Sequence, residues 1–144
     1  MKIERLGIER LKNWIMAKIE RFEDLEVWQE AIKVGVQIYK LSETGKLKRD
    51  FSAKDQLKRA ALSISNNIAE GFEYGSNGSF QRFLTFAKGS AGEVRSELFF
   101  LKEAGIISEE DHDSLLPEIL RISKSISGFK KYLREFEANK KNKT

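Results

Sequence analysis

The sequence predicts an all-α protein, an antiparallel up-down-up-down four-helix bundle with an extra N-terminal helical segment. Two observations support this fold class. Apolar residues recur at spacings of three and four in four long segments, which is the pattern of helices that bury one face. Short connections containing glycine or serine separate these segments, and no segment alternates apolar and polar residues as a half-buried strand does.

The composition fits a single domain with its own core. The 144 residues include one proline and no cysteine, which excludes disulfides and thiolate metal sites. No run of about 18 apolar residues could span a membrane, and the first residues lack the apolar centre of a signal peptide, so we expect a cytoplasmic protein. We expect three regions, an N-terminal extension over 1–21, a bundle over 22–137 and a disordered polar tail over 138–144.

The extension and the first bundle helix show two kinds of apolar pattern. Residues 1–20 are predicted to be helical, with one stripe formed by Ile8, Leu11, Ile15 and Ile19. The next helix is predicted over 24–41, with Asp24 as its N-cap. Its apolar residues form two stripes, which are Leu25, Trp28, Ile32, Gly35 and Tyr39, and Val27, Ala31, Val34, Ile38 and Leu41. One core requires one stripe, so Val34 and Ile38 are predicted to meet another helix at an oligomer interface.

The second helix is predicted over 53–74, after a capping sequence that begins at Ser52. Its core stripe comprises Leu57, Ala61, Ile64, Ile68 and Phe72. Between Ser63 and Gly71, serines and asparagines stand where a surface helix usually carries lysine or glutamate. These small polar residues predict close helix packing combined with hydrogen bonding.

The third helix is predicted over 80–104, with Ser79 as its cap, and has an outward face that is unusual for a monomer. That face carries Phe86, Gly89, Glu93 and Phe100. Exposed phenylalanines beside glycines favour a partner helix that approaches closely.

The last helix is predicted to begin after Ser108 and to be kinked or to have a short first turn at Pro117. Its stripe comprises Leu115, Ile119, Ile122, Ile126, Phe129, Leu133 and Phe136. The single histidine, His112, precedes this stripe in an acidic run and is predicted to lie on the surface.

The motifs of catalytic proteins are missing from this sequence. A di-metal site in a helical bundle needs Glu-x-x-His pairs, and His112 has no such partner. No serine lies in a Gly-x-Ser-x-Gly elbow, and the glycines at 75 and 78 are not followed by the Lys-Ser/Thr of a phosphate-binding loop. We therefore expect no enzyme activity and no cofactor.

A set of polar residues on the second and third helices predicts a structural network, within the chain or across an interface. The set comprises Arg59, Asn66, Asn67, Glu70, Ser90 and Glu93. If buried, these groups must pair, and a network satisfied only in the correct assembly would fix its register. A direct ligand-binding site is the alternative interpretation.

The net charge of +4 is unevenly distributed and suggests an anionic partner. The candidate nucleic-acid contacts are Lys46, Lys48, Arg49, Lys54, Lys58, Lys124, Lys130, Lys131 and Arg134. We expect phosphate contacts without sequence specificity, because aromatic residues for base stacking are not evident among these cations. A solvated basic surface with no nucleic-acid role is the alternative.

Three segments carry a resemblance to a known family. They are FEDLEVW at 22–28, QLKRAALSISNNIAEG at 56–71 and FLTFAKGSAGE at 83–93. Together they resemble the small four-helix-bundle proteins encoded in intervening sequences of bacterial 23S ribosomal RNA genes, over about residues 22–135. This family is also similar to the accessory variability determinant of diversity-generating retroelements.

The resemblance implies a barrel-like homopentamer with a basic surface for nucleic acid. In the retroelement relatives the partners are a reverse transcriptase and nucleic acid. Two departures from the family pattern are Ser65, where the family usually has proline, and residues 1–15, which precede the usual start and make Met16 a candidate initiator. We therefore expect a self-assembling accessory protein that binds structured RNA or DNA, with a protein–protein interaction scaffold as the alternative.

Overall fold

The computed structural model describes residues 19–142, which contain four α-helices. They are α1 (Glu26–Ser42), α2 (Phe51–Glu73), α3 (Asn77–Glu103) and α4 (Glu109–Lys141). Short 3-10 turns, Phe22–Asp24 and Leu47–Arg49, precede α1 and α2. The described range contains no strand, and the predicted all-α four-helix fold is confirmed. The predicted N-terminal helix falls largely on residues 1–18, which lie outside the described residues.

The helices pack in sequence order around one core. α2 lies between α1 and α3, α3 packs on α4, and α4 closes the bundle against α1 with a smaller contact. α3 and α4 are antiparallel, because Asn77 lies beside Leu133 while Phe99 lies beside His112. We call the end with the connections 43–50 and 104–108 the loop end, and the end with residues 74–76 the turn end.

The core consists mainly of the apolar stripes predicted from the sequence. Its fully buried large side chains include Ile38, Leu57, Ile64, Ile68, Leu84, Leu98, Ile119, Ile122 and Ile126. Each such side chain contributes roughly 1.5–3 kcal/mol by leaving water, so the single chain has a complete apolar core.

The prediction for the second stripe of α1 was wrong. Val34 and Ile38 are 2% and 0% exposed and lie in the chain's own core, so they cannot form an oligomer interface. The physical reason is that α1 turns the second stripe toward α2 and α4, whereas Trp28 and Ile32 of the first stripe are only partly buried and Tyr39 is exposed.

The helix starts differ from the predicted ones because the capping residues differ. Asp24 belongs to the 3-10 turn, and α1 begins after Leu25 without a side-chain cap. The Asp50 side chain caps α2 by accepting from the Ala53 N–H at 3.1 Å, and Ser76 caps α3. The predicted cap Ser108 is confirmed at the start of α4.

α4 is one continuous helix that contains Pro117, which removes one backbone donor without ending the helix. It departs from the sequence prediction at two places. It extends to Lys141, so residues 138–141 are helical where the sequence predicted a disordered tail. His112 is 4% exposed, and its Nδ1 donates to Asp113 Oδ1 at 3.0 Å. Its spacing of three from Leu115 extends the core stripe, a signal that the surrounding acidic residues obscure.

Gly71 marks the closest approach of α2 and α3. A Cβ atom at this position would lie 2.7 Å from Phe83 Cβ, which is closer than carbon atoms can pack. This contact agrees with the close packing predicted from the small residues of α2. Only glycine lets the two helices meet at this distance.

We expect Gly71→Ala to lower the free energy of unfolding by about 1–3 kcal/mol, because the added methyl group overpacks the α2–α3 contact. Gly128→Ala in α4 is the matched control, since nothing lies within 4 Å of an added Cβ there. The control is expected to gain about 0.5–1 kcal/mol from helix propensity. Urea unfolding measures both values, and equal effects in the two variants would contradict the close approach.

Candidate functional site

The small polar residues of α2 pair with α3 inside one chain. Ser63 Oγ lies 2.8 Å from Ser90 Oγ, and the two hydroxyls share a hydrogen bond. The Asn67 side-chain amide donates to the Ser63 carbonyl oxygen at 2.8 Å and to Ser63 Oγ at 2.9 Å. We call Ser63, Asn67 and Ser90 the seam cluster. The Ser63–Ser90 bond links the two helices, and Asn67 supports Ser63 from within α2, which accounts for residues that are poor helix formers.

The rest of the predicted polar network does not join the seam cluster. Arg59 is exposed and forms an ion pair with Asp55, with 2.8 Å between Nε and Oδ2. Asn66, Glu70 and Glu93 are exposed. At about 100° per residue, Arg59 and Asn66 point roughly 40° and 60° from Ser63, toward solvent beside the seam cluster. The sequence therefore predicted the right pair of helices but too large a network.

The outward apolar residues lie where the sequence placed them. Phe86 and Phe100 are 45% and 70% exposed, and Gly89 and Glu93 are exposed beside them. We call these four residues the outer α2–α3 face. Exposed apolar side chains grouped in this way are typical of a contact surface.

Glu97 lies at the edge of this face with its carboxylate covered. Neither of its oxygens is accessible to solvent or has a hydrogen-bond partner in the described part of the chain. Burial raises the pKa of Glu97, the neighbouring Glu93 charge raises it further, and a side-chain interaction with Gln56 that falls outside full hydrogen-bond geometry offsets both in part. Glu97 is thus a polar group that the single chain leaves unsatisfied.

Two of the predicted nucleic-acid contacts are engaged within the chain. Lys58 Nζ lies 2.9 Å and Lys54 Nζ lies 3.7 Å from Glu43 Oε1. The hydrogen bond from Lys58, followed by the charge of Lys54, lowers the pKa of Glu43. Lys58 also lies over the Tyr39 ring, 4.6 Å from its centroid. Their charges are largely compensated, so they are weaker phosphate contacts than the sequence suggested.

A basic groove lies between α3 and α4. Its charged lining consists of Lys88, Arg121 and Lys124, and Ser123 and Ser127 add hydroxyl donors. None of these three cations forms an ion pair with any described residue. The sequence identified Lys124 but missed the other two, because only the packing of α3 on α4 brings Lys88 beside Arg121.

The remaining basic candidates lie at opposite ends of the bundle. Lys46, Lys48 and Arg49 are exposed at the loop end. The other set lies on the turn-end half of α4 and comprises Lys130, Lys131 and Arg134. Lys131 lies 4.0 Å from Glu135, whereas Lys46, Lys48 and Arg49 form no ion pair within the described range. The two basic segments of the sequence therefore do not form one continuous patch.

Residues 19–142 contain neither a cluster of metal ligands nor a helix that could span a membrane. No group of three or more His, Asp or Glu side chains in this range is arranged to hold a metal ion. No helix within the range is long and apolar enough to cross a membrane.

Comparisons with known proteins identify the family and a structural relative. The family model described as 23S rRNA-intervening sequence protein matches residues 23–128. A crystal structure of a protein of unknown function, from the S23 ribosomal protein family of Bacteroides thetaiotaomicron VPI-5482, is similar with a TM-score of 0.66 and 25% sequence identity. The match covers 73% of this chain and 98% of that one. A search of curated proteins gave no match.

We expect Glu97→Gln to stabilise the chain at neutral pH by about 1 kcal/mol or less, because it removes a poorly solvated charge. The pKa of Glu97 is higher in the folded chain than in the unfolded one. The free energy of unfolding that the charged carboxylate costs is therefore absent below about pH 4 and fully present above the raised pKa.

The gain in melting temperature of Glu97→Gln over the wild type should thus grow as the pH rises from 4 to 7. Glu70→Gln is the control, since Glu70 is exposed and does not act on the pKa of Glu97. A Glu97→Gln protein that melts below the wild type at pH 7 would contradict an unsatisfied carboxylate.

Proposed function

We propose that this chain, which belongs to the 23S rRNA-intervening sequence protein family, is a non-enzymatic, self-assembling accessory protein that binds the phosphate backbone of structured RNA or DNA. The observation that carries the proposal is the set of three unpaired cations in the basic groove, Lys88, Arg121 and Lys124. Such cations release counterions when they meet phosphates, which is the main source of affinity without sequence specificity.

The groove suits an extended anion better than a small molecule. It is an open channel along two antiparallel helices, and its cations come from both walls. Ser123 and Ser127 can donate hydrogen bonds to phosphate oxygens between the charged contacts.

Self-assembly is compatible with this binding mode because the two surfaces lie on different sides of α3. At about 100° per residue, Phe86 and Lys88 point roughly 160° apart. Contact through the outer α2–α3 face would therefore leave the basic groove open. In a pentamer, as the family resemblance implies, five weak phosphate sites would act together through avidity.

A protein–protein interaction scaffold is the second candidate function. Phe86 and Phe100 support it, since large exposed aromatic side chains are typical of protein interfaces. In this alternative the outer face binds another protein and the cations serve solubility. The two functions differ in the salt dependence of nucleic-acid binding.

We expect Lys88→Gln/Arg121→Gln/Lys124→Gln to weaken binding to RNA and duplex DNA by about tenfold or more, and to reduce the slope of log K against log salt by about 2–3 per subunit. Arg59→Gln/Lys58→Gln/Lys131→Gln is the control, since it removes the same charge from cations already paired with acids. Fluorescence anisotropy across a salt series measures both quantities.

Two results would reject nucleic-acid binding in favour of the scaffold. One is a wild-type protein that fails to bind at low salt, and the other is binding that does not depend on salt. Equal losses in the two triple variants would instead assign the binding to net charge rather than to the groove.

We expect Gly89→Leu to disrupt assembly while the chain stays folded, because an added side chain meets nothing within its own chain but would obstruct a partner helix. Gly128→Leu on the exposed side of α4 is the matched control and should assemble normally. Multi-angle light scattering at micromolar concentration gives the mass, and circular dichroism gives the helicity. A monomeric wild type, or loss of helicity in Gly89→Leu, would contradict the assignment.

A further inference from the structure

Phe51 is the most exposed large apolar side chain in the described range, at 76%. It is the first residue of α2 and lies at the loop end of the bundle. At this position the ring exposes apolar surface to water and does not add to the core of the single chain. The expectation from the sequence was that no aromatic residue lies among these cations. It was wrong at Phe51, which stands between Arg49 and Lys54.

The backbone on both sides of Phe51 is held in place. Leu47, in the preceding 3-10 turn, is 1% exposed and anchors the connection in the core. Asp50 caps the first turn of α2, and the Lys54 ammonium donates to the Lys48 carbonyl oxygen at 3.2 Å. The ring therefore projects from a fixed turn, so a ligand would bind it without first ordering the loop.

The surroundings of the ring are cationic. Lys54 Nζ lies 5.2 Å from the ring centroid, within the range of a cation–π contact. Lys48 and Arg49 precede the ring, and Lys46 is exposed one turn earlier. Residues 46–59 contain six lysines and arginines and two aspartates, one of which is the cap Asp50. An exposed aromatic ring among cations combines a stacking surface with phosphate contacts.

We propose that Phe51 is a stacking platform for an unpaired nucleobase, with Lys46, Lys48 and Arg49 binding the phosphates beside it. The inference rests on the proposed nucleic-acid binding and specifies its ligand as RNA or DNA with unpaired bases. A continuous duplex hides its base faces and offers the ring nothing to stack on. The basic groove and the Phe51 platform thus differ in what they bind, the first a backbone and the second a base.

The charge around Phe51 argues against a second copy of the same patch as its occupant. Two such patches would bring their lysines and arginines together and repel each other. The acidic start of α4 lies at the same end, but α4 is diagonal to α2 and has no substantial contact with it. Nucleic acid supplies both the negative charge and the flat aromatic face that this arrangement fits.

The test compares variants of Phe51 on two probes under identical salt conditions. One probe is a labelled single-stranded RNA, and the other is the same strand annealed to its complement. Phe51→Ala and Phe51→Leu should each weaken single-strand binding by about tenfold, because both lose the ring. Phe51→Tyr should bind within about twofold of the wild type, because it keeps the ring. Duplex binding and the salt slope should not change, since no phosphate contact is lost.

Three results would overturn the proposal. Phe51→Leu binding the single strand as the wild type does would show that apolar area, not stacking, matters. Equal losses on single strand and duplex would show that no unpaired base is involved. A changed mass of Phe51→Ala by light scattering would place the ring in an assembly contact.

A protein that does not bind nucleic acid at all would give different results in these assays. If the wild type binds neither probe in a salt-dependent way, nucleic-acid binding itself is wrong, and the platform is wrong with it. If the wild type binds and the basic-groove variant weakens binding while all Phe51 variants bind normally, only the platform is wrong. Circular dichroism of each variant controls for folding, which the exposed ring should not affect.

Discussion

The close contact between α2 and α3 is the constraint on which the rest of the structure depends. At the turn end, Gly71 lets the backbone of α2 approach Phe83, and toward the middle the Ser63 and Ser90 hydroxyls share a hydrogen bond across the same interface. The contact fixes how α3 is rotated about its own axis. That rotation turns Lys88 toward α4 and Phe86 toward the outer surface. A larger residue at 71 would disturb both functional surfaces at once.

The core of the single chain is complete, whereas its outer face is not. Val34 and Ile38 fill the centre of the bundle, so folding does not wait for a partner. By contrast, Phe100 remains largely exposed and Glu97 has a covered carboxylate without a hydrogen bond. Both features lie on the side of α3 that faces away from α4. This division between a satisfied core and an unsatisfied face is the physical basis for proposing assembly.

The positive charge that a ligand can use depends on which cations form ion pairs within the chain, and the sequence alone does not show these pairs. Lys54 and Lys58 lie in the most basic part of the sequence, yet both face Glu43. Lys88 and Arg121 are far apart in the sequence and isolated among polar residues, yet they line one groove without an acidic partner. Unpaired cations keep their full attraction for phosphate, so the groove is the stronger candidate despite its smaller number of charges.

The sequence by itself determined the four helices of residues 19–142, the core stripes of α2 and α4, the outward position of Phe86 and Phe100, and the family. Hydrophobic periodicity is a local property of each helix, so it can be recognised in the sequence without knowing which helices are adjacent. The tertiary structure decided which stripe of α1 is core, that His112 is buried, which cations are free, and that the polar network is limited to Ser63, Asn67 and Ser90. Each of these depends on which helices are adjacent and how they are rotated, and distances between side chains on different helices are not encoded in spacing along one of them.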